Sequence, residues 1–268
     1  MNRFVAILGL LLVTGLPSSA FADAVETSTD LTIDEIIACM SANSPEEALV
    51  QVVELVTVDR AGSERKQTGK LAMKRFPEGG RVVLRVEDPP DLRGTAFLML
   101  QQQDRTEMFT YLPDLKKVRR ITSHSLKGRL LGTDFTYEEI AQMLAISRKN
   151  SPVLDGLGTV NGRTTWTLRT TPTPDSGSSY QKIVSQIDQE TCLPILIDFY
   201  EAGAEPAKTL TCDPERITLE PGGVHVPRLM EMRDQKRGTK SRIVTHSIEI
   251  DPELKDRDFT QSRLARGR

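Results

Sequence analysis

The stretch KLAMKRFPEGGRVVLRVE (Lys70–Glu87) changes side-chain character at every second residue. Leu71 and Met73 alternate with Lys70, Ala72 and Lys74. Val82, Leu84 and Val86 alternate with Arg81, Val83, Arg85 and Glu87. A period of two puts the apolar side chains on one face of an extended chain and the polar ones on the other. Between the two runs lies Pro77-Glu78-Gly79-Gly80, whose Pro and Gly residues supply the backbone angles of a reversal. Two one-sided strands around a turn are an antiparallel hairpin.

The same pattern continues outward. Further turn signals are Arg60-Ala61-Gly62-Ser63, Asp88-Pro89-Pro90-Asp91 and Gln103-Asp104-Arg105, and they recur at a spacing of roughly 10 to 15 residues, with no room for helical crossovers. Trp166 and Leu168, then Leu193, Ile195, Ile197 and Phe199, then Val224 and Val226, then Val244, His246, Ile248 and Ile250 mark later strands. Two capping boxes interrupt the pattern. Thr32 with Glu35 opens a short helix carrying Ile36, Ile37 and Met40. Thr136 with Glu139 opens a helix expected over Tyr137–Arg148, with Ile140, Met143, Leu144 and Ile146 on its apolar face. The expectation is a mainly β chain of about eleven strands and two or three helices, in one domain. A barrel of that size is too wide for its own side chains to fill, so the helices should plug its mouth or cover its concave face. Lys, Arg and Glu on the outward faces argue against a barrel embedded in lipid.

The first 22 residues read as a secretory signal peptide: Arg3, the apolar run Phe4–Leu16, and Ala20-Phe21-Ala22 as a cleavage site. No Cys stands at a lipoprotein position, so residues 23–268 are expected as a soluble exported domain. Its removal takes Arg3 and leaves 34 Lys and Arg (35 less one) against 37 Asp and Glu, a balance unlike that of a nucleic-acid binder. In an oxidising compartment Cys39, Cys192 and Cys212 suggest one disulfide and one free thiol, or else three small buried hydrophobes. Cys192 and Cys212 flank a hairpin centred near Ala202, so they are the expected pair.

Catalytic and metal-binding patterns are lacking. His124, His225 and His246 have no ligand spacing between them, and there is neither a G-x-S-x-G nor a phosphate-binding glycine loop. Asp134, Glu138 and Glu139 are explained by a helix start, where carboxylates are favoured. No cofactor, metal or enzymatic activity is expected.

RTEMFTYLPDLKKVRRI (Arg105–Ile121) ends in a basic cluster. After the turn at Leu112-Pro113-Asp114-Leu115, Lys117 and Arg119 fall on one strand face and Lys116 and Arg120 on the other. Charge of this kind can guard a sheet edge. Three motifs, PPDLRGTAFL (Pro89–Leu98), YLPDLKKVRRI (Tyr111–Ile121) and LLGTDFTYEEI (Leu130–Ile140), come in this order, followed by CLPILIDFY (Cys192–Tyr200). Together they resemble the periplasmic outer-membrane lipoprotein-sorting proteins of the LolA-like family, within the LolA/LolB/LppX superfamily. The likeness runs from about residue 32 to 265. It implies a half-open antiparallel barrel, closed on one side by helices, that holds acyl chains, and in some members a companionship with RND-type exporters. On that basis Lys117, Arg119 and Arg120 either meet a lipid phosphate or carboxylate, or pair with Asp134 or Glu138 to hold a lid over Gly128–Arg148.

Strand parity nominates Leu71, Met73, Val82, Leu84, Val86, Phe97, Met99, Trp166, Leu168, Ile195, Ile197 and Phe199 as cavity lining, although each could be ordinary core. The resulting expectation is a monomeric periplasmic carrier of a lipid or lipoprotein, moving it toward the outer membrane and using no nucleic acid. The alternative is an envelope interaction module with a filled interior.

Overall fold

The computed structural model describes residues 31–102, 105–144 and 152–266. The signal-peptide expectation for residues 1–22 lies outside them. Helix α1 spans Ile33–Ala42 and begins at the expected capping box: the Glu35 amide donates to Thr32 Oγ1 at 3.3 Å, and Glu35 Oε2 accepts from the Thr32 amide at 2.7 Å. One wing of the fold is a meander of β1 (Ala48–Val58), β2 (Glu64–Phe76), β3 (Gly79–Asp88), β4 (Ala96–Gln101), β5 (Thr106–Leu112) and β6 (Lys117–Ile121). Helix α2 (Tyr137–Leu144) follows; residues 145–148 of the expected helix lie outside the described residues. The second wing holds β7 (Val153–Val160), β8 (Arg163–Thr170), β9 (Lys182–Asp188), β10 (Pro194–Tyr200) and β11 (Lys208–Cys212). A short hairpin, β12 (Ile217–Glu220) and β13 (Val224–Pro227), leads to β14 (Leu229–Asp234), β15 (Thr239–Ile250) and the terminal helix α3 (Gln261–Arg266).

Thirteen strands form one antiparallel sheet in the order β6-β5-β4-β3-β2-β1-β15-β14-β11-β10-β9-β8-β7, and β12 pairs only with β13. The late strand β15 joins the wings by pairing with β1 along most of its length, from Leu49 opposite Ile250 to Val58 opposite Lys240. The sheet does not close: β6 and β7 are its two edges. It is therefore an open half-barrel. The count exceeds the expected eleven because the extra strands are short or polar, such as four-residue β12 and glycine-containing β7.

Register turns the sequence alternation into a core. Leu71 lies opposite Leu84, Leu84 opposite Phe97, Met73 opposite Val82, Val82 opposite Met99, and Met99 opposite Met108. These rows join Ile197, Phe199, Leu210 and Met232 of the other wing in one inner cluster. On the outer face of β4 and β5, Ala96, Leu98 and Phe109 pack against Leu264 of α3.

The disulfide differs from expectation. Cys39 of α1 is bonded to Cys192, with the Cα atoms 5.7 Å apart, and Cys212 is a buried free thiol. The hairpin ladder sets Leu196 opposite Thr211, so its continuation puts Cys212 opposite Ile195. Cys192 lies three residues farther on, in the β9–β10 turn, beyond reach of Cys212 and beside α1.

Candidate functional site

Residues 122–144, which follow the free edge strand β6, fill the inner face of the half-barrel. Leu130, Phe135 and Ile140 are buried in the inner cluster, and Leu126, Leu131, Tyr137 and Met143 pack against it. The segment folds back on itself to do this. The Leu130 amide donates to the Phe135 carbonyl at 2.8 Å and the Tyr137 amide to the Gly128 carbonyl at 3.0 Å. The reversal uses left-handed backbone at Leu131 (φ 51°) and Gly132 (φ 76°). Gly132 favours this reversal because it adopts the left-handed backbone without the strain a side chain would bring. The Tyr137 ring stacks on Phe97 with centroids 5.7 Å apart.

Polar groups then fix the segment in place. The Asp134 side chain is wholly buried; it accepts from Thr239 Oγ1 and Ser241 Oγ at 2.7 Å each and from the Arg129 guanidinium at 3.0 Å. Lys208, at the start of β11, donates to the Asp134 carbonyl at 2.6 Å and pairs with Glu139 at 3.0 Å. Glu139 also caps α2 by accepting from the Thr136 amide at 2.7 Å, and it takes the Tyr180 hydroxyl proton donor. Burial, reinforced by the nearby Glu139 charge, pushes the Tyr180 phenol well above its ordinary range, so it remains a donor. Glu138 accepts from the Ser179 amide at 3.0 Å and from the Ser178 hydroxyl. Desolvation lowers the Arg129 pKa, against the opposing pull of Asp134, and the group stays a cation. Both oxygens of Asp134 and of Glu139 accept hydrogen bonds from within the protein. A polar cavity of about 340 Å³ opens beside this network, lined in part by Lys127, Arg129, Asp134, Tyr180, Lys208 and Arg237.

The nominated lining residues divide. Val82, Leu84, Phe97, Met99, Ile197 and Phe199 are buried in the inner cluster, with Leu71 and Met73 half-buried against it. Val86, Trp166, Leu168 and Ile195 are buried outside that cluster. The nominated cations are placed elsewhere: Lys117 and Arg119 are exposed, and Arg120 pairs with Glu107 of β5 at 2.9 Å. The groups holding Asp134 are Arg129, Thr239 and Ser241, with Lys208 beside them. Arg129 stands next to the LLGTDFTYEEI motif and could have been noticed. Lys208, Thr239 and Ser241 look like ordinary polar positions of alternating strands, and nothing local marks them as facing inward.

A family model described as "-like: Uncharacterized protein" matches residues 79–266. The chain belongs to that family. Its fold is shared by solved structures, among them the following three. An outer-membrane lipoprotein-sorting protein domain from Vibrio parahaemolyticus is 23% identical, with a TM-score of 0.78 over 86% of this chain and 97% of that one. A DUF1329 family protein from Desulfovibrio piger is 21% identical, with a TM-score of 0.79 over 86% and 96%. A LolA superfamily protein from Nitrosomonas europaea is 19% identical, with a TM-score of 0.66 over 87% and 99%. No curated protein sequence matches the chain. The fold is thus the LolA-like half-barrel that the sequence motifs resemble.

Proposed function

We propose that this chain is a non-enzymatic periplasmic carrier whose inner face binds the acyl chains of a lipid or lipoprotein and hands them toward the outer membrane. The observation that carries the reading is the inner face itself: an apolar surface built by both wings of an open sheet and covered by the segment that follows β6. That segment acts as a stand-in occupant. Leu130, Phe135 and Ile140 together contribute about 5–9 kcal/mol of apolar burial, at 1.5–3 kcal/mol each. An acyl chain of about twelve carbons gains roughly 10 kcal/mol at 0.8 kcal/mol per buried CH₂. The two are close enough for a ligand to displace the segment. An exported monomer working with an RND-type inner-membrane exporter fits this role.

A filled interior is also what an interaction module acting through its surface would have, so one experiment must separate the two. Displacement of a fluorescent fatty-acid probe is measured on the mature protein, with circular dichroism as the folding control. Phe135→Ala should raise probe uptake severalfold by emptying the place the ligand takes. Leu84→Asp should abolish uptake, because an isolated carboxylate is costly in an apolar cavity. If folded wild type and Phe135→Ala both take up no probe and copurify with no lipid, the carrier reading fails and the surface reading replaces it.

A further inference from the structure

The basic side chains of the β5–β6 hairpin take no part in the inner cluster, although Met108 and Ile121 at its base do. Its strand β6 is a free edge of the sheet. Ile121 is buried in the inner cluster, so Lys117 and Arg119, at the same parity, lie toward that side. Val118 packs on the outer cluster with Leu264, so Arg120 lies toward the other. Lys116 occupies the turn. Lys116, Lys117 and Arg119 are exposed, and among the described residues no carboxylate lies within 4.0 Å of them; Arg120 is the paired member. The acids nearby are few: Asp114 in the turn, Asp91 on the adjoining β3–β4 loop, and Asp88 at the end of β3, facing Arg93 at 3.9 Å. At the apex stands Leu115, a large apolar side chain left 46% exposed.

This arrangement selects its partner. A small anion needs donors that converge around it, whereas Lys116 sits in the turn and Lys117 and Arg119 are spaced along one face of an edge strand. A flat anionic surface meeting the edge end-on reaches them all. A soluble polyanion has no use for an exposed Leu at the apex; a bilayer has, since an apolar side chain can enter the headgroup layer while flanking cations stay at the phosphates. We infer that the β5–β6 hairpin docks the protein edge-on to an anionic membrane surface, with Leu115 inserted and Lys116, Lys117 and Arg119 against the lipid phosphates. This goes beyond the carrier reading and uses none of its inner-face residues.

The test is cosedimentation of the mature protein, without acyl ligand, with phosphatidylcholine vesicles that contain or lack phosphatidylglycerol. Binding should require the anionic lipid and weaken with salt. Each cation at such a surface is worth about fivefold in partitioning, so Lys116→Gln, Lys117→Gln and Arg119→Gln combined should weaken binding on the order of a hundredfold. Leu115→Asp should weaken it severalfold with an unchanged melting temperature. Equal binding to both vesicle types, or undiminished binding by the triple variant, overturns the inference. So does full binding by Leu115→Asp, with heparin competing, which would assign the patch to soluble polyanions. The triple variant should still take up the fatty-acid probe, so failure at the membrane is distinct from failure as a carrier.

Discussion

Asp134→Ala removes the carboxylate on which the inner-face segment is hung. Three donors converge on it: two hydroxyls at 2.7 Å and the Arg129 guanidinium at 3.0 Å. Hydrogen bonds to a charged group contribute about 1.5–3 kcal/mol each, giving roughly 5–9 kcal/mol gross. Part of that is recovered. The Arg129 side chain is 29% exposed and can turn to water, whereas Ser241 is fully buried and cannot. The net loss should therefore be about 3–5 kcal/mol, the usual consequence of breaking one side of a buried pair. The loss should fall on the segment first, because Asp134 is the side chain through which Thr239 and Ser241 of β15 hold it. Hydrogen exchange is the assay. The amides of Leu130, Tyr137 and Ile140, each bonded within the segment, should exchange about a hundred- to several-thousand-fold faster. The strand amides of β1 and β15 should change far less. A loss under about 1 kcal/mol, or acceleration spread evenly over the sheet, would refute the view that Asp134 holds the segment.

Oxidised protein unfolded without reductant should show one free thiol, and Cys39→Ser should cost about 5 kcal/mol by denaturant midpoint, given a bridge closing a long loop; three thiols would refute the Cys39–Cys192 assignment. Burial pushes the Cys212 thiol from 9.0 up to about 12, so it should resist alkylation until the protein unfolds. The raised value means its contribution is complete below pH 9.0 and is lost as pH climbs toward about 12, so Cys212→Ala should lose less stability across that window in alkaline melts; equal losses would contradict it.

The architecture was legible wherever one strand face is apolar. Leu71, Met73, Val82 and Leu84 alternate cleanly, and the ladder sets them opposite one another. What could not be read was register across long separations. The pairing of β1 with β15 joins residues some two hundred positions apart, and the contacts of Thr239 and Ser241 with Asp134 span more than a hundred. The disulfide failed for the same reason. Its expected partner was chosen from a hairpin midpoint at Ala202, but the ladder centres the turn past Gly203, and a shift of this size moves a side chain out of bonding distance. The basic cluster was visible from the start, yet its neighbours were not; only the fold shows that Arg129 and Lys208, rather than Lys117 or Arg119, serve the segment.

The composition of the anchor bears on how the segment can leave. Burying Asp134, Glu139, Lys208 and Arg129 incurs a desolvation cost that largely cancels their mutual attraction, so the network adds little to net stability while each member is costly to remove alone. Such a set specifies position: it allows one placement of the segment and penalises a slipped one. A wholly apolar segment of the same length would bind the inner face more tightly but in many registers, and nothing would favour its release. Here the polar cavity of about 340 Å³ lies against the ions, so water has access to Arg129, Asp134 and Lys208 as they separate. Rehydration then offsets their separation, and, if the protein carries acyl chains as proposed, the apolar contacts of Leu130, Phe135 and Ile140 are the ones such a chain would replace. On the carrier reading, a segment held in this way is firmly placed when the protein is empty and weakly opposed to leaving when a chain of sufficient length arrives.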